Sequence, residues 1–126
     1  LKDSIKHINE NACINLKKNN ENIEIYKNIF DKLYTLMSSE ADIFISDCSS
    51  KNFFGDLNIK NPFVHEIEWF KHQEPKIWIN LMKNSKFRVI SLDWSTLNSL
   101  KFLGKFNNSK LLSYFTSSNF RIIGKI

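Results

Sequence analysis

The stretch FRVISLDWSTLNSLKFLGK, Phe87–Lys105, decides how the rest of the chain is read. Phe87–Ile90 is a short apolar run suited to a buried strand, and Ser91 is a favourable helix N-cap. Asp93 would then stand in a first helical turn, where the positive end of the helix dipole favours a carboxylate. Trp94, Leu97, Leu100 and Leu103 recur at three-residue steps, and Gly104 supplies a natural stop. The spacing predicts a strand, a tight polar step and a helix that carries Trp94 at its start. Such a unit closes a small α/β domain, so the chain before it should supply the earlier strand–helix units.

Working upstream, Pro75 suits the first turn of a helix whose buried stripe is Ile77, Trp78, Leu81 and Met82. Ile23–Met37 is the clearest helix, with Tyr26, Ile29, Phe30, Leu33 and Leu36/Met37 on one face. Ala41–Ser46 follows as a continuous apolar run, the pattern of a central strand covered on both faces. Ala12–Leu16 reads as a first strand, which makes strand, helix, strand a right-handed parallel βαβ unit. Leu1–Glu10 is a weakly helical lead-in. Asp47–Glu74 is long for a connection and should hold a helix or hairpin of its own, with Val64, Ile67 and Phe70 at helical spacing. Downstream, Leu111–Phe115 suggests one more short helix, and Phe120–Ile126 an added edge strand or a tail. The expected fold is a three-layer α/β domain with a small, mainly parallel sheet of about four strands.

Composition sets the outer limits. At 126 residues the chain makes one domain with a modest core, and 42% hydrophobic with 25% charged content is ordinary for a globular chain. Sixteen lysines against two arginines, with abundant Asn, Ile and Phe, is the bias that AT-rich codons produce. Net charge is +5, and no acidic residue follows Asp93. Lys101, Lys105, Lys110, Arg121 and Lys125 are therefore candidates for contact with nucleic acid or an acidic partner. Cys13 and Cys48 sit in apolar runs without CxxC spacing, which suits small core residues of an intracellular protein. No apolar run reaches membrane-span length. The chain starts at Leu1, as an excised fragment would, so the lack of a targeting signal carries no weight.

Chemistry-bearing motifs are sparse. His7, His65 and His72 are far apart, and Glu66, Glu68 and Glu74 lack an HExxH register, so no metal is expected. No GxSxG elbow or glycine-rich phosphate loop is present, and no cofactor is implied. Phe102, Phe106 and Phe115 among the C-terminal basic residues could stack on single-stranded bases, though such residues more often belong to a core.

Val89-Ile90-Ser91-Leu92-Asp93-Trp94, followed by Ser99, Lys101 and Lys105, resembles the end of a BRCT domain. That family closes with a strand, a Ser/Thr-rich step and a helix bearing a near-invariant tryptophan. The resemblance spans residues 11–106, but its specific part is Val89–Lys105. It implies one BRCT-like domain over residues 1–126, with Trp94 packed as structural core between the last helix and the sheet. It also implies a non-catalytic interaction module of a nuclear DNA repair, replication or chromosome-maintenance protein, with another protein as partner. DNA binding through the basic C-terminal part is the alternative. Phosphopeptide-binding members use a Ser/Thr and a Gly after the first strand and a Lys near the second helix. Here only the lysine has a counterpart, Lys76 or Lys71, because Leu16-Lys17-Lys18-Asn19 supplies neither hydroxyl nor glycine.

A second resemblance joins ADIFISD, residues 41–47, to NPFVHEIEWF, residues 61–70. These look like the nucleoside deoxyribosyltransferase pattern, which implies Glu66 as nucleophile and Asp47 as a ribose-contacting carboxylate. The glycine-rich first loop of those enzymes is missing.

Overall fold

The computed structural model describes residues 16, 19–64, 67–96 and 108–126. Helix α1 is Asn20–Leu36, strand β1 Asp42–Cys48, and helix α2 the single turn Phe53–Asp56. A 3-10 turn at Trp69–Lys71 leads into helix α3, Pro75–Asn84. Strand β2 is Arg88–Ser95, helix α4 the short Lys110–Tyr114, and strand β3 Asn119–Lys125. The sheet order is β1-β3-β2, and both pairings are antiparallel.

This corrects the expected sheet in three respects. Among the described residues it has three strands, none of them parallel, so no parallel βαβ unit is found there. The sequence from Ser91 to Ser95 continues β2 and does not start a helix, so Ser91 caps nothing and Asp93 faces Arg121 across the ladder. Phe120–Lys125 lies within the central strand, not at an edge. The strand order that the BRCT resemblance implies puts Ala41–Ser46 beside Phe87–Ile90, whereas β3 separates them. Residues 12–15 and 97–107 lie outside the described residues, and with them most of the expected first strand and the body of the expected last helix. Leu16 itself sits in a 3-10 turn and is fully buried.

The local errors have physical causes. A β-bulge between Val89 and Ser91 slips the phase of β2 by one residue. Val89, Leu92 and Trp94 therefore share the inner face, and the three-residue step from Val89 to Leu92 imitates a helix. In β3 the alternation is plain: Phe120, Ile122 and Gly124 are buried between Arg121, Ile123 and Lys125. Alternation shows that a strand exists, but a short strand carries no mark of how many neighbours it will have.

The core gathers under the two long helices. Asn19 caps α1, its side chain accepting from the amides of Glu21 and Asn22 at 3.1 and 3.2 Å. The apolar face of α1 sends Phe30 and Tyr34 edge-on against Phe87, at ring separations of 6.3 and 5.3 Å. From α3, Leu81 and Met82 are buried with Phe120 and Ile122 of the central strand. Gly124 makes that approach possible, because a Cβ there would run into the Met82 methyl and meet Ile43 Cγ2 at 3.1 Å. The opposite sheet face is not covered by a helix among the described residues, and Phe44 and Ile90 are exposed on it. The expected third layer is therefore not found there.

A buried polar cluster fastens the loop after β1 to the turn before β3. Asn52 Nδ2 donates to the Thr116 and Tyr114 carbonyls at 2.9 and 3.1 Å and to Ser118 Oγ at 2.9 Å. Its Oδ1 caps α2 by accepting from the Phe54 amide at 3.0 Å. Asn61 repeats the arrangement, donating to Thr116 O at 2.7 Å and accepting from the Phe63 amide at 2.8 Å. Of the helix or hairpin expected within Asp47–Glu74, the described residues show the single turn α2, this Asn-anchored loop and the 3-10 turn, and residues 65–66 lie outside them.

Candidate functional site

Where β2 leaves the core, Leu92 and Trp94 form one wall of an open pocket of about 680 Å³. Pro75, Lys76 and Ile79 at the start of α3 form a second wall, and Lys110, Leu111 and Tyr114 of α4 a third. Ser49, Lys51 and Glu74 complete the rim among the described residues. Each wall follows from its element. Alternation beyond the bulge puts Leu92 and Trp94 on the inner face, and Pro75 fixes where α3 begins. α4 is held against β2 by Ser113, whose hydroxyl lies 3.1 Å from both the Ser95 and Asn119 carbonyls.

The floor is apolar and incompletely filled, with Leu92 and Leu111 left 37% and 68% exposed. Trp94 packs its ring on Phe120 at 5.8 Å, and the Lys110 ammonium stands 5.8 Å from the Trp94 ring centre. Among the described residues no carboxylate forms an ion pair with Lys51, Lys76 or Lys110. The rim thus sets three lysines against one glutamate over an apolar floor. Tyr114 is turned to the wall by donating its hydroxyl to Asp56 at 2.9 Å, a bond that raises the phenol's pKa and keeps it neutral.

The residues singled out in the sequence are divided by the fold. Lys76 and Lys110, candidates on separate grounds, meet at this pocket with Trp94. Trp94 is half-buried on a strand, which corrects its expected place at a helix start, and its ring packs on Phe120 of the neighbouring strand. Lys71 lies elsewhere, paired with Glu68 and 5.8 Å from the Phe70 ring. Arg121 and Lys125 are exposed on β3 away from the pocket, beside Asp93 at 3.5 Å and Asp42 at 3.4 Å. Lys101 and Lys105 lie outside the described residues, as do Phe102, Phe106, Cys13, His7, His65 and Glu66. Lys51 was missed: in sequence it is one lysine among sixteen, and only the polar cluster that anchors Asn52 beside it fixes its place.

Asp47 is committed to structure. Its carboxylate lies 2.8 Å from His72 Nδ1 and accepts from Trp78 Nε1 at 3.2 Å and from the Cys48 amide at 2.7 Å. It ties the end of β1 to α3 and does not line the pocket beside Trp94. Burial, with help from the Asp47 charge, pushes the neighbouring Cys48 thiol up to about 11, and that thiol donates to Asn119 Oδ1 at 2.8 Å. A thiol held protonated in this way is a poor nucleophile. Among the described residues no group of three or more His, Cys, Asp or Glu could hold a metal ion, and no helix is long and apolar enough to cross a membrane. Comparison with protein-family models, curated proteins and solved structures finds no match.

Proposed function

We propose that this chain is a non-catalytic protein-interaction module that engages its partner at the pocket beside Trp94. One observation carries the reading: among the described residues Lys51, Lys76 and Lys110 form no ion pair, and they stand around an apolar floor. Unneutralised lysines over exposed Leu92 and Leu111 suit a partner segment that brings an apolar anchor with acidic neighbours. The pocket's size falls within the range of ligand sites, but among the described residues it holds no pairing of nucleophile and base. The nuclear setting that the BRCT resemblance implies stays tied to the Val89–Lys105 segment and gains no support from the strand order. Binding of DNA through the basic C-terminal part is disfavoured by the separation of Lys110 from Arg121 and Lys125, and by the carboxylates beside the latter two.

Selection of random twelve-residue peptides displayed on phage tests the reading. Recovered peptides should be enriched in Asp and Glu around an apolar residue. Their affinity should fall about tenfold or more for a Lys76→Glu, Lys110→Glu double variant whose thermal melt matches the parent. Recovered peptides that bind the double variant unchanged would overturn the proposal, as would failure to recover any.

A further inference from the structure

The pocket has a backbone feature at its margin. Among the described residues β2 pairs with β3 on one side only, and the order β1-β3-β2 leaves its other flank as a sheet edge there. No backbone–backbone hydrogen bond among the described residues reaches Arg88–Ser95 from outside the β3 ladder, and only the Ser95 carbonyl has a side-chain donor, the Ser113 hydroxyl at 3.1 Å. Unpaired strand edges are templates for a further strand, and proteins blunt them with bulges, charge or cover. β2 carries its bulge at Val89–Ser91, which protects the first half and leaves Ser91–Ser95 regular. Leu92 and Trp94, alternate residues of that regular half, are the two that line the pocket.

These facts lie in register with one another. A strand laid along Ser91–Ser95 would send every second side chain to the inner face, at about 6.8 Å intervals. There the central one would meet the pocket bounded by Leu92, Trp94, Leu111 and Ile79, and the residues two positions to either side on that face would stand near the rim lysines. Strand addition of this kind gains affinity from main-chain hydrogen bonds and selectivity from the pockets that receive alternate side chains. An amphipathic helix cannot use the β2 edge, because its own backbone groups are already paired.

Building on the interaction-module reading, we propose that the partner is an extended acidic peptide that pairs with β2 over Ser91–Ser95 as a fourth, edge strand. Its central apolar residue enters the pocket beside Trp94, and carboxylates two positions to either side, on the same face, meet the rim lysines Lys51, Lys76 and Lys110. The peptide is ordered only on binding, so affinity is modest and the contact is reversible.

The probe is a fluorescein-labelled heptapeptide with phenylalanine at its centre, glutamate two positions to either side and threonine elsewhere. Two derivatives are N-methylated, each on the amides of one edge, which blocks hydrogen bonding on that edge alone. Fluorescence anisotropy should show binding of the parent peptide, a loss of tenfold or more for one derivative and near-parent affinity for the other. Hydrogen exchange should slow at those β2 amides that do not face β3. Equal binding of both derivatives and the parent, or unchanged exchange at β2, would overturn strand addition while leaving the interaction module standing. If the heptapeptide fails to bind but phage-selected peptides bind in a Lys76-dependent way, strand addition again falls alone. If neither binds, both readings fall. A ten-residue oligothymidylate that outcompetes the heptapeptide would overturn the peptide assignment in favour of nucleic acid.

Discussion

Replacement of Asn52 by alanine tests the reasoning at the point where the fold has most to lose. Asn52 is fully buried, and its side chain joins the loop after β1 to the turn between α4 and β3. Truncation removes the acceptor that caps the Phe54 amide, a loss of about 1 kcal/mol. It also withdraws the donor from the Tyr114 carbonyl, and an orphaned buried acceptor costs about 1–3 kcal/mol. The Thr116 carbonyl suffers less, since Asn61 still donates to it at 2.7 Å. Together these give roughly 3 kcal/mol. If the 126 residues unfold as one unit at about 2.1 cal/mol/K per residue, Tm falls by about 11 °C. Thermal denaturation followed by circular dichroism measures it. Asn52→Asp is the control: it keeps the shape and the capping oxygen but turns a carboxylate oxygen towards three acceptors, and should be worse than alanine at neutral pH. A Tm within about 3 °C of the parent for both variants would refute the claim that this cluster fixes the loop.

Two further outcomes follow from the core and the sheet. Gly124→Ala should cost about 1–3 kcal/mol in denaturant unfolding, because the new Cβ overlaps the buried Met82 methyl. A double-mutant cycle with Met82→Ala should return a coupling above about 0.5 kcal/mol, and strict additivity would contradict the packing described. At Cys48 the folded state holds its proton up to about pH 11, whereas an exposed thiol titrates near 8.5. The unfolded chain therefore loses that proton first, and the Cys48 contribution to stability, complete below pH 8, declines as pH rises from about 9 towards 11. The difference in urea midpoint between parent and Cys48→Ser should change with pH across that window, and alkylation by iodoacetamide at pH 8 should be slow until the chain is unfolded.

Half of the pocket could be read from residue order. Pro75 opening a helix and a short helix at Leu111–Phe115 are local signals, as is the helix over Ile23–Met37, and all three are formed. Lys76 and Lys110 could be named as candidates from charge and resemblance. Their meeting could not, because they sit on elements 34 positions apart whose approach is set by β2 and β3 pairing. The Ser91–Trp94 segment was misread for a specific reason. A serine beside a carboxylate suits a helix cap, and the bulge hides the two-residue alternation that would have announced a strand.

By itself the sequence determined α1, α3 and α4, strands at Ala41–Ser46 and Phe87–Ile90 and the charge the surface would carry, since these depend on neighbours a few residues away. The tertiary structure alone decided the sheet. It placed Phe120–Lys125 at the centre, turned both pairings antiparallel and made Trp94 a pocket wall on an edge strand. Strand pairing joins backbone groups that look alike in every residue, and its choice rests on which faces can be buried together. That choice is made by Gly124 accepting Met82, by Phe120 meeting Trp94, and by Asn52 closing the loop, contacts between residues distant in sequence.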